Sequence, residues 1–134
     1  MTHVQGRSIS PAQHNVRYVT LGFFEEQPKI FGLDKVDLNK RIYVVEGPFD
    51  SLFLPNCIAM GGGECNLLST VVPKERVVVV MDNEPRNRDT IKRMQKYIAS
   101  DYTITLIQAT IKEKDIYDMI LNGIVQKEIL KIIN

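Results

Sequence analysis

Residues 41–50 read Arg-Ile-Tyr-Val-Val-Glu-Gly-Pro-Phe-Asp, and residues 76–84 read Arg-Val-Val-Val-Val-Met-Asp-Asn-Glu. In both stretches an unbroken apolar, β-branched run ends on an acid and a turn. A strand with one wet face alternates polar and apolar residues. A run apolar at every position belongs to a strand covered on both faces, as in a parallel sheet flanked by helices. Working outward, residues 42–45 form a first strand, with a short helix through residue 54. A second strand at 57–60 runs into Gly61-Gly62-Gly63. Residues 64–70 make a short helix and 76–81 a third strand. Asn87 or Asp89 caps a helix running to Ala99, whose Ile91, Met94 and Ile98 fall at helical spacing. A fourth strand follows at 103–107, then helices at 115–121 and 125–133, divided by the C-cap pair Asn122-Gly123. The fold class expected is α/β, with a central, mostly parallel four-stranded sheet flanked by helices.

Before residue 41 the character differs. Gly6, Pro11, Gly22, Pro28 and Gly32 interrupt short candidate strands such as residues 16–24, giving a small β-rich lead-in. The chain therefore divides into a lead-in over 1–40 and an α/β unit over 41–134.

Of 134 residues, 44% are apolar, enough for a real core and too many for a disordered tail. With 17 basic and 16 acidic residues the formal net charge is +1, which excludes a protein holding nucleic acid by bulk charge alone. Cys57 and Cys65 have no second Cys pair, and His3 and His14 lie far upstream, so no zinc quartet is present and both thiols are expected to be idle and reduced. The longest apolar run, residues 77–81, is far too short to span a bilayer, and nothing near the N-terminus reads as a signal peptide. A cytoplasmic protein without a membrane partner is expected.

In open parallel sheets, ligands gather beyond the carboxyl ends of the strands. Glu46 ends the first strand, Asp82 and Glu84 follow the third, and Asp115 lies past the fourth. Taken singly, such acids are ordinary turn residues. As a set they are unusual, because Glu46 and Asp82 each follow directly on a buried run. Clustered carboxylates repel unless a hard cation neutralises them, and Mg²⁺ accepts a few carboxylate oxygens together with waters and phosphates. Gly61 to Gly63 could pack beneath the site or admit a nucleotide. Arg86 falls where a helix start would bring it beside metal-bound phosphates. Arg93 and Lys96 read as an ordinary charged helix face.

The strings V-V-E-G-P-F-D-S-L-F, M-D-N-E-P-R, D-T-I-K-R-M and K-D-I-Y-D-M-I, with upstream V-Q-G-R and K-I-F-G-L, resemble the primases of T-even-type bacteriophages, within the DnaG-type primase superfamily. Residues 41–120 resemble the Toprim fold that these primases share with topoisomerases and some nucleases. The resemblance implies the catalytic, RNA-polymerase part of a DNA primase: Mg²⁺-dependent (or Mn²⁺-dependent) synthesis of short RNA primers from ribonucleoside triphosphates on single-stranded DNA during replication.

It also implies roles for residues. Glu46, Asp82 and Glu84 match the catalytic acids, with Glu46 either a third ligand or the general base. Asp115 matches a later metal-holding acid and Asp50 a supporting one. Arg7, Arg17 and Lys29 would line a basic cleft across the template and nucleotide path, with Arg86 and Lys114 on phosphates. Two positions depart from the pattern. Glu84 stands where an aspartate is usual, and Tyr117 occupies the site two residues after Asp115 where a second aspartate is common, with Asp118 following.

Primases of this type also carry an upstream zinc-binding module. Its absence implies a fragment, or a short protein of the primosome that works with a separate zinc module and the replicative helicase, in a host cytoplasm if phage-encoded. A Toprim nuclease is the alternative within the fold. A non-catalytic module binding nucleic acid or helicase is the alternative outside the reaction.

Overall fold

The computed structural model describes residues 3–8, 18–23, 28–61 and 65–134. Arg17 lies outside them, as do Gly62 and Gly63 of the glycine turn. Strands β1 (His3–Arg7) and β2 (Tyr18–Gly22) form an antiparallel ribbon. There follow β3 (Ile30–Phe31), β4 (Ile42–Val45), α1 (Pro48–Ser51), β5 (Cys57–Met60), α2 (Cys65–Leu68), β6 (Val77–Val80), α3 (Arg88–Ala99), β7 (Thr103–Thr105), α4 (Ile116–Leu121) and α5 (Gln126–Ile133).

The second sheet has the order β3-β5-β4-β6-β7. Four of these strands are the expected parallel set, but the sheet has five strands rather than four. The fifth, β3, comes from the lead-in and runs antiparallel along the β5 edge, with Ile30 opposite Met60 and Phe31 opposite Ala59. A strand of two residues has no periodicity to read, so only its distant partner defines it. The strand expected at 103–107 stops at Thr105, although Ile107 still reaches the core.

Both faces of the sheet are covered, which is why β4 and β6 are apolar throughout. Ile42 and Val44 point to one face and join Ile58, Leu68, Val77, Val79 and Tyr97 under α2 and α3. Tyr43 and Val45 point to the other and join Ala59, Val80, Met119, Ile129 and Ile133 under α1, α4 and α5. Ile42, Ile58, Leu68, Met119, Ile129 and Ile133 are among the largest fully buried side chains, each contributing about 1.5–3 kcal/mol by leaving water. Cys65 packs on the first face and Cys57 against the second, so the sheet separates the two free thiols.

Helix α3 is capped as expected, the Asn87 carboxamide oxygen accepting the N–H groups of Asp89 (2.9 Å) and Thr90 (3.4 Å). Its buried face differs from the expected one. Thr90 and Tyr97 are buried and Met94 packs on the core, whereas Ile98 is 56% exposed. Tyr97 sets this rotation by meeting Tyr102 edge-on, with ring centroids 5.8 Å apart. One consequence is that Arg93, beside Met94 on the helix, turns toward the carboxyl ends of β4 and β6.

Residues on either side of position 40 are stitched together by Asn56, which has a left-handed backbone (φ 48°). Its carboxamide donates to the carbonyls of Asp37 (3.0 Å) and Arg41 (2.7 Å) and accepts the Asp37 N–H (2.7 Å). Among the described residues no helix is long and apolar enough to cross a membrane.

Candidate active site

Glu46 is the first residue past β4, and Asp82 follows β6 after one buried methionine. Register puts them at one edge, since Val44 lies opposite both Ile58 of β5 and Val79 of β6. Two long-range hydrogen-bond sets then bring acids from elsewhere to the same edge. The first belongs to Asn83, whose carboxamide donates to the carbonyls of Ile111 (2.8 Å) and Glu113 (3.0 Å) and whose N–H donates to the Lys114 carbonyl (2.7 Å). The residues after β7 are thereby fastened to the end of β6, with Lys114 and Asp115 arriving beside Asp82. The second belongs to Asp50 in α1, which is 8% exposed and accepts the Tyr117 N–H at the start of α4 (2.8 Å). Asp115 caps that helix by accepting the Asp118 N–H (2.8 Å).

Gly47 makes the Asp50 position available. A Cβ on Gly47 would collide with the Asp50 carboxylate, so the glycine in Glu46-Gly47 is required for room rather than for backbone freedom.

The electrostatic result is clearest at Asp82. Burial pushes its carboxyl up to about 7, and the charges of Glu46, Asp50 and Asp115 add to the rise while Lys114 opposes it. Asp50 is pushed up to about 6, mainly by burial and then by Asp115, with the Tyr117 N–H and Lys114 acting against it. Glu46, Asp50, Asp82 and Asp115 are thus close enough to feel one another. Glu84 is not among the leading charges on Asp82. Its carboxylate accepts from the Asn87 carboxamide instead (3.3 Å), while its N–H returns to the Asp82 carbonyl (2.8 Å).

The expected basic residues among those described take four separate places. Lys114 is half-buried and faces Asp50 and Asp82. The Arg7 guanidinium lies 4.9 Å from the Phe49 ring centroid and 5.9 Å from that of Tyr117, against the two elements that Asp50 joins. Lys29 is exposed and directly precedes β3, whose Ile30 pairs with the last residue of β5, so it too sits at the carboxyl edge. Arg86 is exposed on the turn between β6 and α3.

Two contributors escape a sequence reading. Asn83 looks like any turn asparagine until its partners, about thirty positions away, are known. Arg93, expected on a solvated helix face, instead forms an ion pair with Glu46 (Nη1 to Oε1, 2.8 Å) and donates to the Thr90 hydroxyl (3.3 Å). Glu46, Asp82, Arg93 and Tyr97 line one crevice between the ends of β4 and β6.

The donors here are carboxylate oxygens, which suits a hard cation. Among the described residues no three His, Cys, Asp or Glu side chains stand close enough to share one ion.

No protein-family model matches the chain. Over 118 residues it is 43% identical to the DNA primase of Enterobacteria phage T4, a match covering 87% of this chain and 33% of that protein. The chain therefore spans about a third of the length of the curated relative it matches. By this identity the chain is related to the DNA primase of Enterobacteria phage T4 along about a third of that protein's length.

Proposed function

We propose that the chain carries the nucleotidyl-transfer site of a DNA primase on a Toprim fold, making short RNA primers from ribonucleoside triphosphates on single-stranded DNA. The observation that carries this reading is the gathering of Glu46, Asp50 and Asp115 around Asp82, whose carboxyl is pushed up to about 7 by burial first and by these charges second. Such crowding of like charge is costly in a metal-free protein and becomes useful when a cation arrives.

In this reading Asp82 and Glu84 are the direct ligands of Mg²⁺, or of Mn²⁺ in its place, Glu46 serves as a further ligand or as the general base, and Asp115 and Asp50 stand in support. A divalent ion there would lower the pKa of the attacking 3′-hydroxyl and neutralise charge on the transferring phosphate. Lys114 and Arg86 orient the triphosphate as fixed positive charges near the acids. Arg7, Arg17 and Lys29 guide the template and nucleotide from the lead-in side. Partners in this reading are a replicative helicase and a separate zinc-binding module.

The test is primer synthesis on single-stranded DNA with labelled ribonucleotides, with and without those partners. Glu46→Gln and Asp82→Asn keep side-chain shape and remove charge, and each is expected to abolish product. Undiminished synthesis in both would sink the assignment, and strand cleavage without synthesis would favour a nuclease. One observation favours a non-catalytic module instead: the acids are too far apart for three to share an ion. Titration with Mn²⁺ separates the two, since a degenerate module takes up none at millimolar metal.

A further inference from the structure

We infer that Arg93 is a built-in counter-ion that occupies Glu46 while no divalent cation is bound, and that it gives up Glu46 when one arrives. The inference rests on the metal-dependent reading above and adds to it a positioning residue outside the acidic set.

The geometry is specific. Arg93 uses one nitrogen for Glu46 (2.8 Å) and another for the hydroxyl of Thr90 (3.3 Å). Thr90 is only 4% exposed, so the guanidinium is anchored by its own helix one turn back and aimed across the crevice it shares with Asp82. The pair is also sheltered. Its side chains are 29% and 37% exposed, against 74% and 42% for Lys40–Asp37 and 39% and 98% for Lys74–Asp101. Those two outlying bridges are of the surface kind that contributes little. The Arg93–Glu46 pair lies in a lower dielectric, where one unit charge weighs more.

The guanidinium engages one oxygen of the Glu46 carboxylate; the other oxygen keeps its lone pairs, but the positive charge held against the group makes it a poorer ligand for a second cation. Arg93 and a divalent cation therefore compete for Glu46. Once released, the guanidinium remains at the crevice as a planar fork suited to phosphate oxygens. Lys114 covers the Asp50 side of the same edge, so each flank of the acids has its own cation.

The experiment is titration of the full chain with Mn²⁺ alone, free ion being followed by electron paramagnetic resonance, for the wild type, Arg93→Met, Arg93→Lys and Asp82→Asn. Arg93→Met is expected to bind Mn²⁺ at least about tenfold tighter, the factor that removing one unit charge about 6 Å from a divalent ion gives even at the dielectric of water. Arg93→Lys, which keeps the charge, is expected to stay within about twofold of wild type. Melting in EDTA supplies a second readout: Arg93→Met melts below wild type without metal, and the gap narrows at saturating Mn²⁺. Should Arg93→Met fail to fold, Arg93→Gln carries the same expectations. Equal or weaker Mn²⁺ binding by the neutral variant, in a protein whose binding Asp82→Asn still abolishes, overturns the counter-ion role and leaves the metal site standing. Absence of any Mn²⁺ uptake sensitive to Asp82→Asn overturns the metal reading, and the exchange with it.

Discussion

Asn83 sits between two acids and would pass as a spacer, yet its removal should do more than alter the turn. In Asn83→Ala the N–H bond to Lys114 survives, while two side-chain bonds, to Ile111 (2.8 Å) and Glu113 (3.0 Å), are lost. Each is worth about 1 kcal/mol net, and the part-buried carbonyls left behind add to the cost, so the loss should total about 2–3 kcal/mol. For a domain of this size that corresponds to a fall of about 6–12 °C in Tm. Asn83→Asp should be worse than alanine, since a carboxylate cannot donate and would face two carbonyl oxygens while adding charge beside Asp82. Urea unfolding followed by circular dichroism in EDTA at neutral pH measures both variants. A loss below about 0.5 kcal/mol for alanine, or an aspartate variant as stable as alanine, would refute the view that Asn83 fastens the loop carrying Lys114 and Asp115.

Other outcomes follow from the same structure. Asp82 has a raised folded-state pKa, so its protonated form favours folding: that contribution is complete below its unfolded value near 4 and is lost as pH climbs through about 7. Metal-free protein should therefore lose Tm between pH 5 and 8, and Asp82→Asn should flatten that decline and stabilise at pH 8 by about 1–2 kcal/mol; scanning fluorimetry across pH checks both. Gly47→Ala should cost about 1–3 kcal/mol by driving Asp50 off the Tyr117 N–H. Its effect should be less than additive with Asp50→Ala in a double-mutant cycle of urea midpoints. Ile129→Ala, at a side chain with 0% exposure, should cost about 2–5 kcal/mol and leave Mn²⁺ affinity unchanged.

The parts of the fold readable beforehand are those written in local chemistry. The valine run of β6 and the Ile-Tyr-Val-Val of β4 announce strands buried on two faces. Asn87 and Asp115 announce helix starts, and the acids after the strands announce an edge. What escapes depends on partners far along the chain. β3 is two residues whose identity as a strand depends on Ala59 and Met60. Helical spacing points to Ile91, Met94 and Ile98 as the buried face of α3, whereas packing selects Thr90, Met94 and Tyr97, because tyrosine and threonine carry weak hydrophobic signals. On the face that spacing suggests, Arg93 reads as solvated. The assembly of Asp50 with Asp115 likewise needs the Tyr117 hydrogen bond, which no spacing rule supplies.

The contribution of β3 has a bearing on how the chain may be divided. Cut at residue 41, the α/β unit would retain its helices and both cores but would leave β5 with open hydrogen-bonding groups at Ala59 and Met60. An uncovered parallel edge recruits strands from other molecules. Such a piece would also lose the Asp37 contacts of Asn56. A trimmed protein that begins after β3 is thus expected to self-associate, whereas one that begins near Pro28 retains its own edge guard.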